Sequence, residues 1–273
     1  MNKSDYSIYI TILITFFLAL LIIPISTFIS DILISLYLIL TITILIVVLQ
    51  RRKPGFFSFL PTMLLITTSF GLTINLISAR LILTKGSNFD GKIIKFISSL
   101  ISGSGEFFNI LINFIFFLFT ITILMIIIKK SSTRVSESAA RFILDNLPLK
   151  QIKIESDYSS GRIDKNEANL CIEKLIRESD YYGAMDSAGK LISGCAKAYL
   201  LSNMLTLITG IFINSQLRGL DIRETLINYI PLSASNCIIS LFSAILLSTS
   251  MGVDVKRNQT LFSYYYKQQK GAS

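Results

Sequence analysis

Long, nearly uninterrupted apolar runs constrain this chain more than any other feature. They fall at residues 7–26, 32–49, 56–83, 106–128, 198–214 and 226–253. A helix needs roughly 20 apolar residues to cross the hydrocarbon core of a bilayer. Charged residues make up only 16% of the chain, against about 25% in soluble domains. The sequence therefore predicts an all-α polytopic membrane protein of about six spans.

The punctuation of the runs suggests how they are used. Pro24 ends or kinks the first, because proline lacks an N–H and clashes with the preceding turn. Asp31 stands where it can cap the second. The third holds Pro61, Gly71 and Asn75, and the sixth Pro231 and the polar stretch 233–236, so both are expected to be broken helices lining something other than lipid. Residues 93–102 read as an amphipathic helix too short to span, lying in the interface. Basic clusters at 51–53, 129–130 and 256–257 fall on one side if both termini are cytoplasmic, as the positive-inside rule requires. Lys85, Lys92 and Lys95 run against that bias. The net charge of +9 is thus read as topology, with no nucleic-acid partner.

Several chemistries are excluded. There is no histidine, and Cys171, Cys195 and Cys237 form no CxxC pair, so no metal, disulfide framework or histidine base is expected. No phosphate loop or nucleophile elbow occurs. The chain reads as a non-enzyme without a cofactor.

The domain reading is four spans in 1–130, a polar cytoplasmic insert at 131–197, two spans in 198–254 and a polar tail at 255–273. The insert carries folding signals. A helix over 135–147 should stop at Pro148. The alternation at 151–154 followed by Ser-Ser-Gly predicts a small β-hairpin, with Gly161 supplying positive φ. Asp164 and Glu167 form a capping box opening a helix over 165–180, and 181–194 lead back to the membrane. The insert is therefore expected to be a small α+β subdomain.

Three segments carry a resemblance. AARFILDNLPLKQIKIESDYSSGRID at 139–164, ESDYYGAMDSAGKLISG at 178–194 and FSFLPTMLLITTSFGLTINLISARLIL at 57–83 are similar to the FHIPEP family, the export-gate proteins of flagella and type III secretion injectisomes. Pro24 with residues 31–34 fits the family's first hairpin. The resemblance implies a homo-oligomeric ring in the bacterial inner membrane, beside other export-apparatus membrane proteins, coupling proton influx to protein export. Family members carry a large soluble domain after the last span. The resemblance therefore implies a shortened gate, which would meet exported proteins and chaperones only if that domain is supplied elsewhere.

Of the family's pattern the chain keeps Arg80, Arg134, Arg141, Asp145, Pro148, Lys150, Gln151, Asp157, Met185, Asp186, Lys190 and Gly194. The proton-coupling candidates this implies are Asp186, Asp145, Asp157 and Lys190, with Asp186 foremost. A carboxylate at a membrane boundary is tuned by desolvation and by a nearby cation, and Lys190 at i+4 would supply one. Arg134, Arg141, Pro148, Lys150 and Gln151 mark the insert motif. Arg80, Asn75 and Asn236 are the polar groups expected within the membrane, the asparagines lining a wet path or pairing between helices. The chain departs from the family at Cys195 and Asn236, where acids are expected, at Gly71 for an arginine, and at Leu149 for a glycine. Those losses keep open a remnant that assembles without exporting. An unrelated secondary transporter would show internal symmetry between halves, and none is seen.

Overall fold

The computed structural model describes residues 15–17, 19–51, 59–101, 111–123, 126, 137, 141, 147–219 and 221–270. Among them the chain is helical and holds no strand. In order, α1 is Thr27–Gln50, α2 is Leu60–Lys85, and a 3-10 turn at Gly86–Asn88 leads to α3, Lys92–Ile101. A described stretch of the fourth apolar run, α4, is Leu111–Ile123. Then come α5 at Leu147–Ser159, α6 at Lys165–Phe212 with a π turn at Ile213–Leu217, and α7 at Ile222–Lys270. Among the described residues four helices are long and apolar enough to cross a membrane: α1, α2, α6 with its π turn, and α7 up to Asn258. Of the first expected span, residues 15–17 and 19–26 are described; 15–17 and 19–22 are helical and the helix has ended before Pro24.

The bundle is layered by burial. The most apolar windows of α2 and α7 are 61% and 72% buried, those of α1 and α6 only 28% and 39%, so α2 and α7 are the inner helices. On α1 the buried residues Ile34, Tyr37, Thr41, Ile44 and Val48 recur every three or four positions, forming one seam toward the core. Ile32, Leu36, Ile39 and Ile42 face outward, as suits a helix bathed in lipid. Gly210 of α6 lets α7 approach closely: a Cβ there would overlap the ring of Tyr229, the small-residue contact typical of membrane helices.

Several expectations need correction. Asp31 does not cap its own helix. α1 starts at Thr27, and Ser26 Oγ accepts from the backbone N–H of Ile29. The third run is not broken: Pro61 sits in the first turn of α2, where its missing N–H has no intrahelical partner to lose. Gly71 and Asn75 lie inside the continuous helix. The sixth is also unbroken, since α7 runs through Pro231, packed on α2 and α6. It continues past Val253 to Lys270.

In the insert, the β-hairpin expected at 151–161 is helix α5. After Gly161 only two residues remain before Asp164, the N-cap of α6, so no return strand is available, and an isolated hairpin is marginal in any case. Pro148 lies in the first turn of α5; the helix expected over 135–147 lies mostly outside the described residues. Gly161 has φ of +70° as foreseen, but in an interhelical turn. The capping box at Asp164 and Glu167 is formed on both sides. The helix it opens does not end near Asp180: α6 is one 48-residue helix, about 72 Å long at 1.5 Å per residue. No proline falls between Pro148 and Pro231, and the roughly 1 kcal/mol cost of each interior glycine is outweighed by packing on α2 and α7. The second half of the insert, from Lys165, and the fifth span are thus one continuous helix. The short amphipathic helix is present as α3, with Ile94 buried.

Candidate functional site

Polar side chains collect at three levels of the bundle. The middle level joins the inner helices. Asn75 of α2 donates through Nδ2 to Ser240 Oγ of α7 at 2.8 Å. Asn236 of α7 donates to Asn203 Oδ1 of α6 at 3.0 Å and reaches the carbonyl of Asn75 at 3.5 Å. Ser233 Oγ donates to the carbonyl of Asn203 at 3.1 Å. All five residues are buried, and each pair replaces an otherwise unsatisfied group in hydrocarbon. Asn75 and Asn236, two of the expected membrane polar residues, therefore pair between helices. The site is rich in acceptors, since Asn75 Oδ1 has no donor among the described residues.

One step away, Tyr37 of α1 and Tyr199 of α6 point their hydroxyls at Gly71 of α2. Cys195, one turn before Tyr199, lies within electrostatic reach of both. Gly71 and Cys195, two of the three departures within the spans, thus face the same tyrosine pair.

Arginines close the helix ends. Arg80 donates to the carbonyls of Leu21 and Ile22 at 3.1 and 3.3 Å, capping the chain before Pro24. Arg218 donates to the carbonyl of Thr84 at 3.1 Å near the end of α2. Arg257 donates to the carbonyls of Val48 and Arg51 at 2.9 and 2.5 Å, at the end of α1. Cations suit helix C-termini because the carbonyls there are unpaired and the dipole is negative. At the end carrying α3, Lys85 donates to Asp90 at 2.6 Å and Thr27 donates to it at 2.8 Å. The hydrogen bond from Lys85, then that from Thr27, hold the Asp90 carboxyl below the usual aspartate range.

At the opposite end, Asp254 of α7 is 1% exposed. It accepts from the hydroxyl of Tyr181 on α6, and Arg51 after α1 lies 3.5 Å away. Asn258 donates to Tyr181 at 3.3 Å. Sequence reasoning passed over this cluster. Its signal was available, because Asp254 is the single acid after Glu224.

The insert residues are placed apart from these levels. Asp186 and Lys190 pair at 2.6 Å on α6, as their spacing foretold, with the carboxylate mostly covered and the ammonium exposed. Lys150 of α5 pairs with Glu178 of α6 at 2.5 Å, both side chains largely buried, fastening the two helices. Asp157 pairs with Arg162 at 3.0 Å across the turn between them. Gln151 donates to Glu155 one turn on. Arg141 is exposed, and Arg134 and Asp145 lie outside the described residues. Among the described residues no group of acids and cysteines could hold a metal ion.

A bundle of apolar helices, stitched by buried amides and extended by a long helix with its own hairpin, defines an α-helical polytopic membrane protein with a rigid appendage. The FHIPEP family model matches residues 17–269; the chain belongs to the FHIPEP family. It is 40% identical over 257 residues to the flagellar biosynthesis protein FlhA of Borreliella burgdorferi, covering 94% of this chain and 37% of that protein. It is 35% identical to the FlhA of Bacillus subtilis, with the same coverage, and 31% identical over 252 residues to that of Salmonella typhimurium, covering 91% of this chain and 36% of the relative. The chain thus spans little more than a third of the length of these relatives. No solved structure matches it.

Proposed function

We propose that this chain is the membrane-embedded part of a flagellar-type protein export gate in the bacterial inner membrane, with α5 and the first half of α6 on the cytoplasmic side. The observation that carries the reading is the 40% identity, over nearly the whole chain, to a flagellar biosynthesis protein. Topology supports it: Arg51, Lys150, Lys153, Lys256 and Arg257 belong to the end where α5 lies, the side a positive-inside bias makes cytoplasmic. The gate works as a homo-oligomeric ring with other membrane proteins of the export apparatus. Proton coupling is assigned to Asp186, whose partly covered carboxylate beside Lys190 can exchange a proton with little rearrangement of a rigid helix.

The test is protein export in the native organism. Disrupting the chain should abolish release of flagellar proteins into the medium, and Asp186→Asn should lower it while the protein still accumulates in the membrane. Undiminished export in the disrupted strain removes the assignment. Cys195 and Asn236, neutral where acids are expected, favour a second reading, an assembly partner that does not itself export. Normal export in Asp186→Asn together with loss in the disrupted strain would select it.

A further inference from the structure

The guanidinium of Arg80 is only half occupied. Its Nη1 donates to the carbonyls of Leu21, Ile22 and Ile23 at 3.1, 3.3 and 3.5 Å, which lie at a helix end and have no following turn to pair them. Among the described residues those are all the hydrogen bonds the group makes. Nε and Nη2, which together form its side-on edge, keep their N–H donors. That edge presents two parallel donors at the spacing of two phosphate oxygens. Arg80 is exposed, so the edge can be reached from outside the bundle.

The approach to it is a half-open groove of about 290 Å³. Ile23 and Ile25 before α1, Ile77 and Leu81 of α2, and two cations, Arg80 and Lys85, line it. Charge decides what fits. Lys85 is matched by Asp90 at 2.6 Å, whereas Arg80 has no acid partner among the described residues, so the groove is left with one unmatched cation. Depth narrows the choice further. Arg80 lies five residues before the end of α2, about 7.5 Å along the axis, and the amphipathic α3 beside that end marks the interface. A free anion would lose its hydration between apolar walls. A lipid phosphate arrives with apolar chains that those walls, and the 78% exposed Ile22, can cover.

We propose that this groove binds an anionic phospholipid, with its phosphodiester on the Nε–Nη2 edge of Arg80 and its acyl chains along Ile22, Ile23 and Ile25. A phosphodiester carrying an uncharged alcohol, as in phosphatidylglycerol, has one negative charge and matches the one unmatched cation. A zwitterionic lipid would add an ammonium to a groove that is already positive. The bound lipid shares Arg80 with the chain before Pro24 and so clamps that segment to the end of α2. The site also gives a use to the lysines that run against the positive-inside bias. Lys92 and Lys95 are exposed on α3, at the same membrane face, where they gather anionic headgroups. The inference stands whether or not the chain exports protein.

The chain has no tryptophan, so a single one can serve as a local reporter. Ile22→Trp stands beside the groove, and Ile39→Trp, on the outward face of α1, is the control; both positions are exposed. The full chain is reconstituted at fixed ionic strength in phosphatidylcholine vesicles containing a brominated phospholipid, whose bromines quench tryptophan on contact. Brominated phosphatidylglycerol should bind at Ile22→Trp about fivefold more tightly than brominated phosphatidylcholine, the value of one cationic side chain at an anionic headgroup. The two should bind alike at Ile39→Trp, and brominated phosphatidylethanolamine should behave as phosphatidylcholine does at both. Arg80→Gln should bring the preference at Ile22→Trp down to about one. Thr84→Phe, at an exposed position lining the groove, fills it while leaving every charge in place and should also reduce the preference. Equal affinity for the two lipids at Ile22→Trp overturns the proposal. So does the same preference at Ile39→Trp, an equal preference for phosphatidylethanolamine, or an undiminished preference in either Arg80→Gln or Thr84→Phe. Relief of the quenching by inorganic phosphate would overturn it in favour of a small-anion site.

Discussion

Asp31, near the start of α1, caps a helix that begins sixty-one residues later: its carboxylate accepts from the backbone N–H groups of Lys92 at 2.8 Å and Ile93 at 3.3 Å. Those groups are unpaired by the geometry of any helix N-terminus, and a negative charge there also meets the favourable end of the dipole. The contact pins the amphipathic α3 to the bundle. Asp31→Ala should cost about 1 kcal/mol, the usual value of a lost cap. It should raise hydrogen exchange across residues 92–97 while leaving the centre of α2 unchanged. Protection of α3 equal to wild type would show that packing of Ile94 alone holds it.

Gly71 tests the packing of the tyrosine pair. A Cβ at this position would overlap the hydroxyl end of Tyr37 and press on the hydroxyl of Tyr199, both of them buried side chains. Gly71→Ala should destabilise the protein by about 1–3 kcal/mol, the range for overpacked cores, despite alanine's better helix propensity. Tyr37→Leu, which removes the overlapping atoms, should recover part of the loss in the double variant. Thermal unfolding in detergent, followed by tyrosine near-ultraviolet dichroism, reads both.

The sequence made some of this plain and hid the rest for definite reasons. The long apolar runs, the capping box at Asp164 and the i,i+4 pair of Asp186 and Lys190 are local patterns, and local patterns survive folding. The hairpin misreading came from four alternating residues, Gln151 to Ile154, too few to separate a period of 2 from one of 3.6. Breaks were expected at Gly71 and Pro231 because local propensity was weighed without the neighbouring helices that override it. The Asn203–Asn236 pair, the Asp31 cap and the Asp254 cluster join residues far apart in the chain, and no periodicity carries that information.

Asp90 makes a prediction about acid. The hydrogen bonds from Lys85 and Thr27 lower its proton affinity in the folded state, so the contact stabilises the protein above the ordinary aspartate pKa of about 3.9. That contribution is lost as pH falls through the lower folded value. A carboxyl carbon resonance for Asp90 should titrate below the ordinary value in the wild type and return toward it in Lys85→Met. The effect on global stability should be small, since the pair is largely solvated. A wild-type midpoint at the ordinary value would show the ion pair to be absent in solution.

Asn236 offers the sharpest test of the middle level. Its Nδ2 donates to Asn203 Oδ1 and lies 3.5 Å from the carbonyl of Asn75, so it is surrounded by acceptors with no cation among its hydrogen-bond partners. Asn236→Asp keeps the shape and removes the donor when ionised. A carboxylate would then face the oxygens of Asn203 and Asn75, whereas a neutral carboxylic acid could still donate to one of them. A charge there would be buried without a partner, so Asn236→Asp should destabilise the protein by up to about 3 kcal/mol. Asn236→Ser, which retains a donor and carries no charge, should lose less. Unfolding of the wild type and both variants in detergent at neutral pH distinguishes them. Stability of Asn236→Asp equal to wild type would mean that water already enters the asparagine level and solvates the charge.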